Sequence, residues 1–328
     1  MLNKFILPQD KKIFNEVWAL ALPVIVSNLS RVLMSLVDVA MVGRLGPEAL
    51  AAAGMGGMLV WGALSIMLGV RTSVQTVSSR RLGQNKTKDC VKALNNGFLM
   101  ATIYSIPVSL VCWFFGFVII PLFVVDEITT PLAISYFSIS SLGLFFNSIS
   151  FVFQGFFTGI EKTKVLLSVT ISSNIINIYF NIGLIYGKNF ISKISGDYFG
   201  EVFDISVFWF WAKFDGFGVT GAAIGTLIAS AWMMFHYYIY LNRQKIVKNN
   251  KGIMNVGFDK NMLIKQVKLS VPMGVQEMMI AIGWSVFYKI MAIIGIIELA
   301  TTQLLFTIMH ASFMPALGVG QACATLVG

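Results

Sequence analysis

The sequence predicts an all-α polytopic membrane protein, and three observations carry that expectation. Apolar residues make up 56% of the chain and charged residues only 12%, where a soluble domain holds roughly a quarter charged. The apolar residues gather into eight stretches spread over almost the whole length, each able to cross a hydrocarbon layer of about 30 Å. Basic residues collect in alternate connections between those stretches, the pattern that membrane insertion selects.

The stretches run at about 14–42, 50–73, 94–125, 131–158, 165–186, 217–241, 267–294 and 299–327. The first is too long and too polar inside to be a cleaved leader. Lys4, Lys11 and Lys12 precede it, Arg80, Arg81, Lys86, Lys88 and Lys92 follow the second, and Lys162 and Lys164 follow the fourth. A basic run from Arg243 to Lys268 follows the sixth, whereas the opposite connections hold only Arg44, Lys188, Lys193 and Lys213. The N-terminus is therefore expected in the cytoplasm. The formal charge of +9 is then a topology signal, and nucleic acid is excluded as a partner in favour of the lipid bilayer.

Within the long connection 188–214, the run Phe208, Trp209, Phe210, Trp211 is the aromatic type that settles among headgroups, so an interfacial segment on the outer side is expected. Cys90, Cys112 and Cys323 have neither disulfide nor metal-ligand spacing. With two isolated histidines, His236 and His310, and no HExxH, a membrane-embedded metalloenzyme finds no support and no cofactor is expected.

Shifting the chain against itself by 249 residues pairs Pro23 with Pro272, Val37 with Val286, Gly46 with Gly295, and the LGV at Leu68 with the LGV at Leu317. These matches fall on helix punctuation over two consecutive spans, so spans seven and eight are expected to repeat spans one and two. Both copies start on the same side, which makes the repeats parallel. The expected organisation is a six-span first repeat at 1–241, a basic cytoplasmic linker at 242–264, and at 265–328 the first two spans of a second repeat. Twelve spans are expected of a full duplication, and the chain is expected to be C-terminally incomplete.

Ionisable groups persist in lipid mainly where they pair or line a cavity. Asp38 lies deep in the first span, where a coupling role for an ion or proton competes with a structural hydrogen bond. Arg31, two turns earlier on the same face, is a candidate counter-ion. Thr170, Ser173, Asn174, Asn177 and Asn181 fall on one stripe of the fifth span, which must face protein or water, either as interhelical glue or as carbonyl ligands for a small cation. In the sixth span Gly221 and Gly225 form a small-residue seam that brings Thr226 near a neighbouring helix. Glu277 and Lys289 in the seventh span are candidate substrate or counter-ion residues. Arg71 is expected to snorkel from the cytoplasmic end of the second.

The segments LPVIVSNLSRVLMSLVDVAMVGRLGPEALAA, NIINIYFNIGLIYG and GVTGAAIGTLIA resemble the multidrug and toxic compound extrusion (MATE) family. The resemblance implies a twelve-helix antiporter of two six-helix lobes, in the plasma (inner) membrane, exporting organic cations and other amphipathic compounds against sodium or proton entry. It implies a cation site at Asp38, Asn177, Asn181 and Thr226, with sodium as the hypothetical metal, and no obligate protein partner. Family members often carry a second carboxylate where this chain has Asn181, so one carboxylate among neutral oxygens points to a sodium ion rather than to two-carboxylate proton coupling. Glu277 lies about a turn before the place where some relatives have a carboxylate. The alternative function is a lipid-linked oligosaccharide flippase of related architecture, which a strongly basic cavity around Arg31 and Lys289 would favour.

Overall fold

The computed structural model describes residues 11–124, 126–199, 205–249 and 257–327, of which 11–13, 190–199 and 205–206 are described by backbone alone. Lys4, residues 200–204 of the outer connection and residues 250–256 of the linker, with Lys251, lie outside the described residues.

The fold is all-α. Its long helices are α1 (Lys11–Gly43), α2 (Pro47–Gly83), α3 (Thr87–Ile119), α4 (Thr129–Gly159), α5 (Lys164–Phe199), α6 (Gly218–Arg243), α7 (Lys260–Ile294) and α8 (Ile296–Val327). Among the described residues eight helices are long and apolar enough to cross a membrane, as the hydropathy pattern predicts. Their ends differ from the apolar stretches. α2 continues past residue 73 to Gly83, and α3 starts at Thr87 rather than 94, because backbone hydrogen bonding does not stop where lipid does. Arg80 and Arg81 sit in the last turn of α2, where cations complement the helix dipole. The expected linker 242–264 also shrinks, since Lys245–Asn249 forms one helical turn and α7 begins at Lys260.

α2 is the central element, with half of its span buried against 17% for α7 and 22% for α8. Its neighbours approach through glycines. A Cβ on Gly155 of α4 would fall on the Arg71 carbonyl oxygen, and one on Gly221 of α6 would fall on the Leu184 carbonyl of α5. Contacts this close rely on dispersion between backbones, the driving force that remains in lipid. Buried hydroxyls add polar ties: Tyr104 donates to the Ala63 carbonyl at 2.6 Å, Ser109 to that of Ser141 at 2.7 Å, and Ser27 meets Thr170 at 2.7 Å.

Positions 249 residues apart occur in related contacts. A Cβ on Gly69 of α2 would strike the Ser270 carbonyl and lie 2.7 Å from the Gly274 nitrogen of α7. Moving Gly69 forward by 249 gives Gly318, and moving Gly274 back by 249 gives Ile25. These two are themselves in contact: a Cβ on Gly318 of α8 would strike the Ile25 side chain and lie 3.1 Å from its nitrogen. Thus α2 crosses α7 as α8 crosses α1. Gly54 and Gln303, also 249 apart, face each other, with Gln303 Cβ 3.1 Å from where a Gly54 Cβ would stand. A residue that touches its own counterpart lies on the axis relating the two pairs.

At the start of α7, Asp259 caps the helix by accepting from the Met262 backbone N–H at 3.0 Å, and Lys92 of α3 donates to it at 3.3 Å. The Met262 N–H first, and then Lys92, hold the carboxyl below the usual carboxylate range. A depressed folded-state pKa contributes stability above the unfolded value of about 3.9 and loses it as pH falls through the folded value. Asp259→Ala is expected to cost about 1 kcal/mol at neutral pH. Thermal melts of both proteins should converge as the pH is lowered below about 4.

Candidate cation site

Asp38, about one and a half helical turns before the end of α1, faces α5. The Asn181 amide nitrogen donates both to Asp38 Oδ1 at 2.8 Å and to Asn177 Oδ1 at 2.9 Å. Asn177 in turn donates to Thr226 Oγ1 of α6 at 3.4 Å. One connected cluster therefore joins Asp38, Asn181, Asn177 and Thr226 across three helices. Asn181 is fully buried and Asn177 5% exposed, and the α5–α6 seam explains how they come so close to α6. The Asn181 side-chain oxygen packs directly over Gly225, leaving no room for a Cβ there. That oxygen is buried and accepts no hydrogen bond, in a setting where an unsatisfied acceptor costs several kcal/mol.

An unpaired carbonyl oxygen beside a carboxylate, a second amide oxygen and a hydroxyl is an all-oxygen donor set suited to a hard cation. It fits sodium once the Asn181 amide turns its oxygen toward Asp38. Among the described residues no group of three or more His, Cys, Asp or Glu exists, so a transition-metal centre has no ligand set there.

The polar stripe of α5 divides into two parts. Towards its start it is glue: Thr170 meets Ser27, Ser173 donates to the Ala229 carbonyl at 3.0 Å, and Asn174 donates to the Ser30 carbonyl at 3.0 Å and hydroxyl at 2.8 Å. Asn174 is thereby committed to holding α5 against α1. Only Asn177 and Asn181, further along, belong to the cluster.

The remaining candidates lie elsewhere. Arg31 makes no ion pair with Asp38, since helical side chains lean toward the N-terminus and its guanidinium leads away from the carboxylate. It lies instead within electrostatic reach of Arg71 and Tyr237. Arg71 does not snorkel to the surface; it is 8% exposed and donates to Gln321 of α8 at 2.7 Å. Gln75, one turn on, donates to the Gln321 carbonyl and to Thr325 Oγ1, both at 2.9 Å. The Tyr237 hydroxyl is buried without a partner, its ring stacked on Phe153 and Phe157. Neither Tyr237 nor Gln321 stands out in sequence, because an aromatic or an amide in an apolar helix carries no spacing signal of its own.

Glu277 is partly buried on α7 and has no hydrogen-bond or ion-pair partner among the described residues. Lys289 is exposed, with its ammonium 6.0 Å from the ring of Phe123 in the α3–α4 connection. Its ammonium thus faces the α3–α4 connection rather than the Asp38 cluster. His236 hydrogen-bonds Ser172 through Nδ1 at 2.6 Å, and His310 stacks on Phe306. The aromatic run of the outer connection splits by side. Trp209 and Trp211 turn inward to Tyr179, donating to its carbonyl at 2.7 Å and its hydroxyl at 2.8 Å, while Phe208 and Phe210 remain exposed.

Residues 23–182 match the MatE family, a stretch that contains Asp38, Asn177 and Asn181. A probable multidrug resistance protein NorM from Pseudomonas putida is 24% identical over 94% of this chain, and one from Thermotoga maritima is 23% identical over 100% of it. The chain spans 62% and 66% of the length of these two relatives. Among solved structures, an inward-facing MATE multidrug resistance transporter superposes with a TM-score of 0.69 at 17% identity, over 90% of this chain and 60% of that one. An outward-facing one gives 0.72 at 19%, over 94% and 63%. The structural likeness shows the fold alone, and the match over residues 23–182 together with the NorM relatives supports a likeness to MATE family transporters.

Proposed function

We propose that the chain serves cation-coupled efflux by alternating access, exporting organic cations or other amphipathic compounds, with the coupling ion held by Asp38, Asn177, Asn181 and Thr226. The observation that carries this reading is the orphaned oxygen of the Asn181 amide whose nitrogen donates to the Asp38 carboxylate. It leaves a site short of one cation-like partner, built on three helices of the proposed first lobe, which rocks against the other when a transporter changes state. The ion acts by preferring one of those states. Sodium is favoured over the proton because the cluster has a single carboxylate. The organisation follows the repeat: α1–α6 form the first lobe, and α7 and α8 open a second. The basic connections support an N-terminus in the cytoplasm.

Sodium is expected to raise the melting temperature of the purified chain, and Asn177→Ala to remove that rise. At ten times its dissociation constant a bound ion contributes about 1.4 kcal/mol, a shift of a few degrees for a protein of this size. A melting temperature that ignores sodium yet moves with protonation near neutral pH would reassign the coupling ion. Export of an organic-cation dye from cells, measured under opposed sodium and pH gradients, tests the transport reading itself.

A second reading rests on Arg31 and Arg71, which lie in reach of each other with the unpartnered Tyr237 hydroxyl and form no ion pair. Two guanidiniums without a carboxylate suit an acidic group on the transported compound, as in a lipid-linked oligosaccharide flippase. Competition in the dye assay by anionic rather than cationic compounds would favour it.

A further inference from the structure

Beyond the crossing of Gly69 with Gly274, α2 and α7 separate and a groove of about 360 Å³ opens between the last turns of α2 and the first turns of α7. Arg80, Arg81, Lys265 and Lys268 line one part of it, and Val77 and Leu269 another. Four cations thus share one concavity. Among the described residues Arg80, Lys265 and Lys268 form no ion pair; Arg81 alone reaches a carboxylate, that of Asp89 at 3.9 Å, and it also donates to Gln84 at 2.9 Å. The other nearby acids are engaged, Asp89 and Asp259 both by Lys92 at 3.2 and 3.3 Å. Like charges gathered this way repel unless an anion joins them.

We propose that this groove holds the phosphate headgroup of an anionic phospholipid. Its depth is right for a headgroup, because Arg80 lies eleven residues beyond Gly69, about 16 Å along the helix from the mid-span crossing. Its chemistry changes from basic to apolar in the direction an acyl chain would take. Leu269 is 48% exposed and lines the groove together with Val77 of α2. A soluble phosphate would use the cations and ignore that apolar track, whereas a phospholipid uses both. A bound lipid would also bridge two helices that the repeat assigns to different halves of the chain. The proposal does not depend on the cation site, nor on which side of the membrane the N-terminus occupies.

The test is native mass spectrometry of the purified full chain with phosphatidylglycerol or phosphatidylcholine. Phosphatidylglycerol is expected to be retained in preference to phosphatidylcholine. The double variant Arg80→Gln, Lys268→Gln should weaken retention on the order of thirtyfold, from about 1 kcal/mol for each charge, and Lys268→Gln alone about fivefold. Lys245→Gln with Lys248→Gln, removing the same charge from the exposed one-turn helix, should change nothing. Equal retention of both lipids would overturn the proposal, as would equal losses in the two double variants. Displacement of phosphatidylglycerol by millimolar glycerol phosphate would overturn it too, by making the groove a site for soluble anions.

Discussion

Asp38→Asn is expected to abolish gradient-driven export and the sodium-dependent rise in melting temperature together, while the protein stays helical and inserted. The substitution keeps the shape of the side chain and an oxygen that can still accept from Asn181, the bond now measured at 2.8 Å. What it removes is the charge. The remaining ligands, Asn177, Asn181 and Thr226, are neutral, and neutral oxygens alone do not offset the dehydration of a cation in so buried a place. The loss should be close to complete for coupling and small for stability in the absence of sodium. Circular dichroism and melts in potassium separate the two effects. Full export by the variant would show that the carboxylate is structural.

The second large effect is steric. Gly69→Val should destabilise the protein by about 3 kcal/mol or more, at the upper end of what overpacking costs, because its first new atom would meet backbone on α7 rather than a side chain able to swing aside. Gly318→Val should be damaging too, since Gly318 stands in the repeat-related crossing and meets both the backbone and the side chain of Ile25. Gly283→Val is the control: nothing lies within 4 Å of a Cβ at that position, so it should stay within about 0.5 kcal/mol of the parent. Melting temperatures and yields of folded protein report all three. A Gly69→Val protein as stable as Gly283→Val would mean that α2 and α7 do not pack as described.

Hydropathy alone revealed the eight spans, because each must satisfy its backbone internally and face an apolar solvent. It located helix ends less well: α2 and α3 run on into the basic connection between them, where hydropathy falls but hydrogen bonding continues. Asp38, Asn177, Asn181 and Thr226 stood out as intramembrane polar groups in segments with a recognisable pattern, and one hydrogen-bonded chain joins them. Other polar groups were misread when spacing along one helix stood in for three-dimensional neighbours. Arg31 shares a helical face with Asp38 yet extends away from it, and Arg71 finds its partner 250 residues away in Gln321. Lys289, grouped with Arg31 as a basic lining, meets Phe123 in the α3–α4 connection instead. No local pattern announces such long-range pairings.

The contact between Gly54 and Gln303 limits how alike positions 249 residues apart can be. Off the axis, a matching mutation in each half can be accommodated twice over. On the axis the two positions share one space, so an identical pair must be tolerated by that single volume. Two glycines would leave a hole where the Gln303 stem now sits, and two glutamines would put a second stem where Gln303 atoms already stand 3.1 Å from the Gly54 Cβ direction. Gln303 also accepts the Tyr288 hydroxyl at 2.8 Å, whereas the counterpart of Tyr288 in the first copy is Val39. Difference is therefore required where such positions meet, and a chain given the same residue at both would be the one least able to close upon itself.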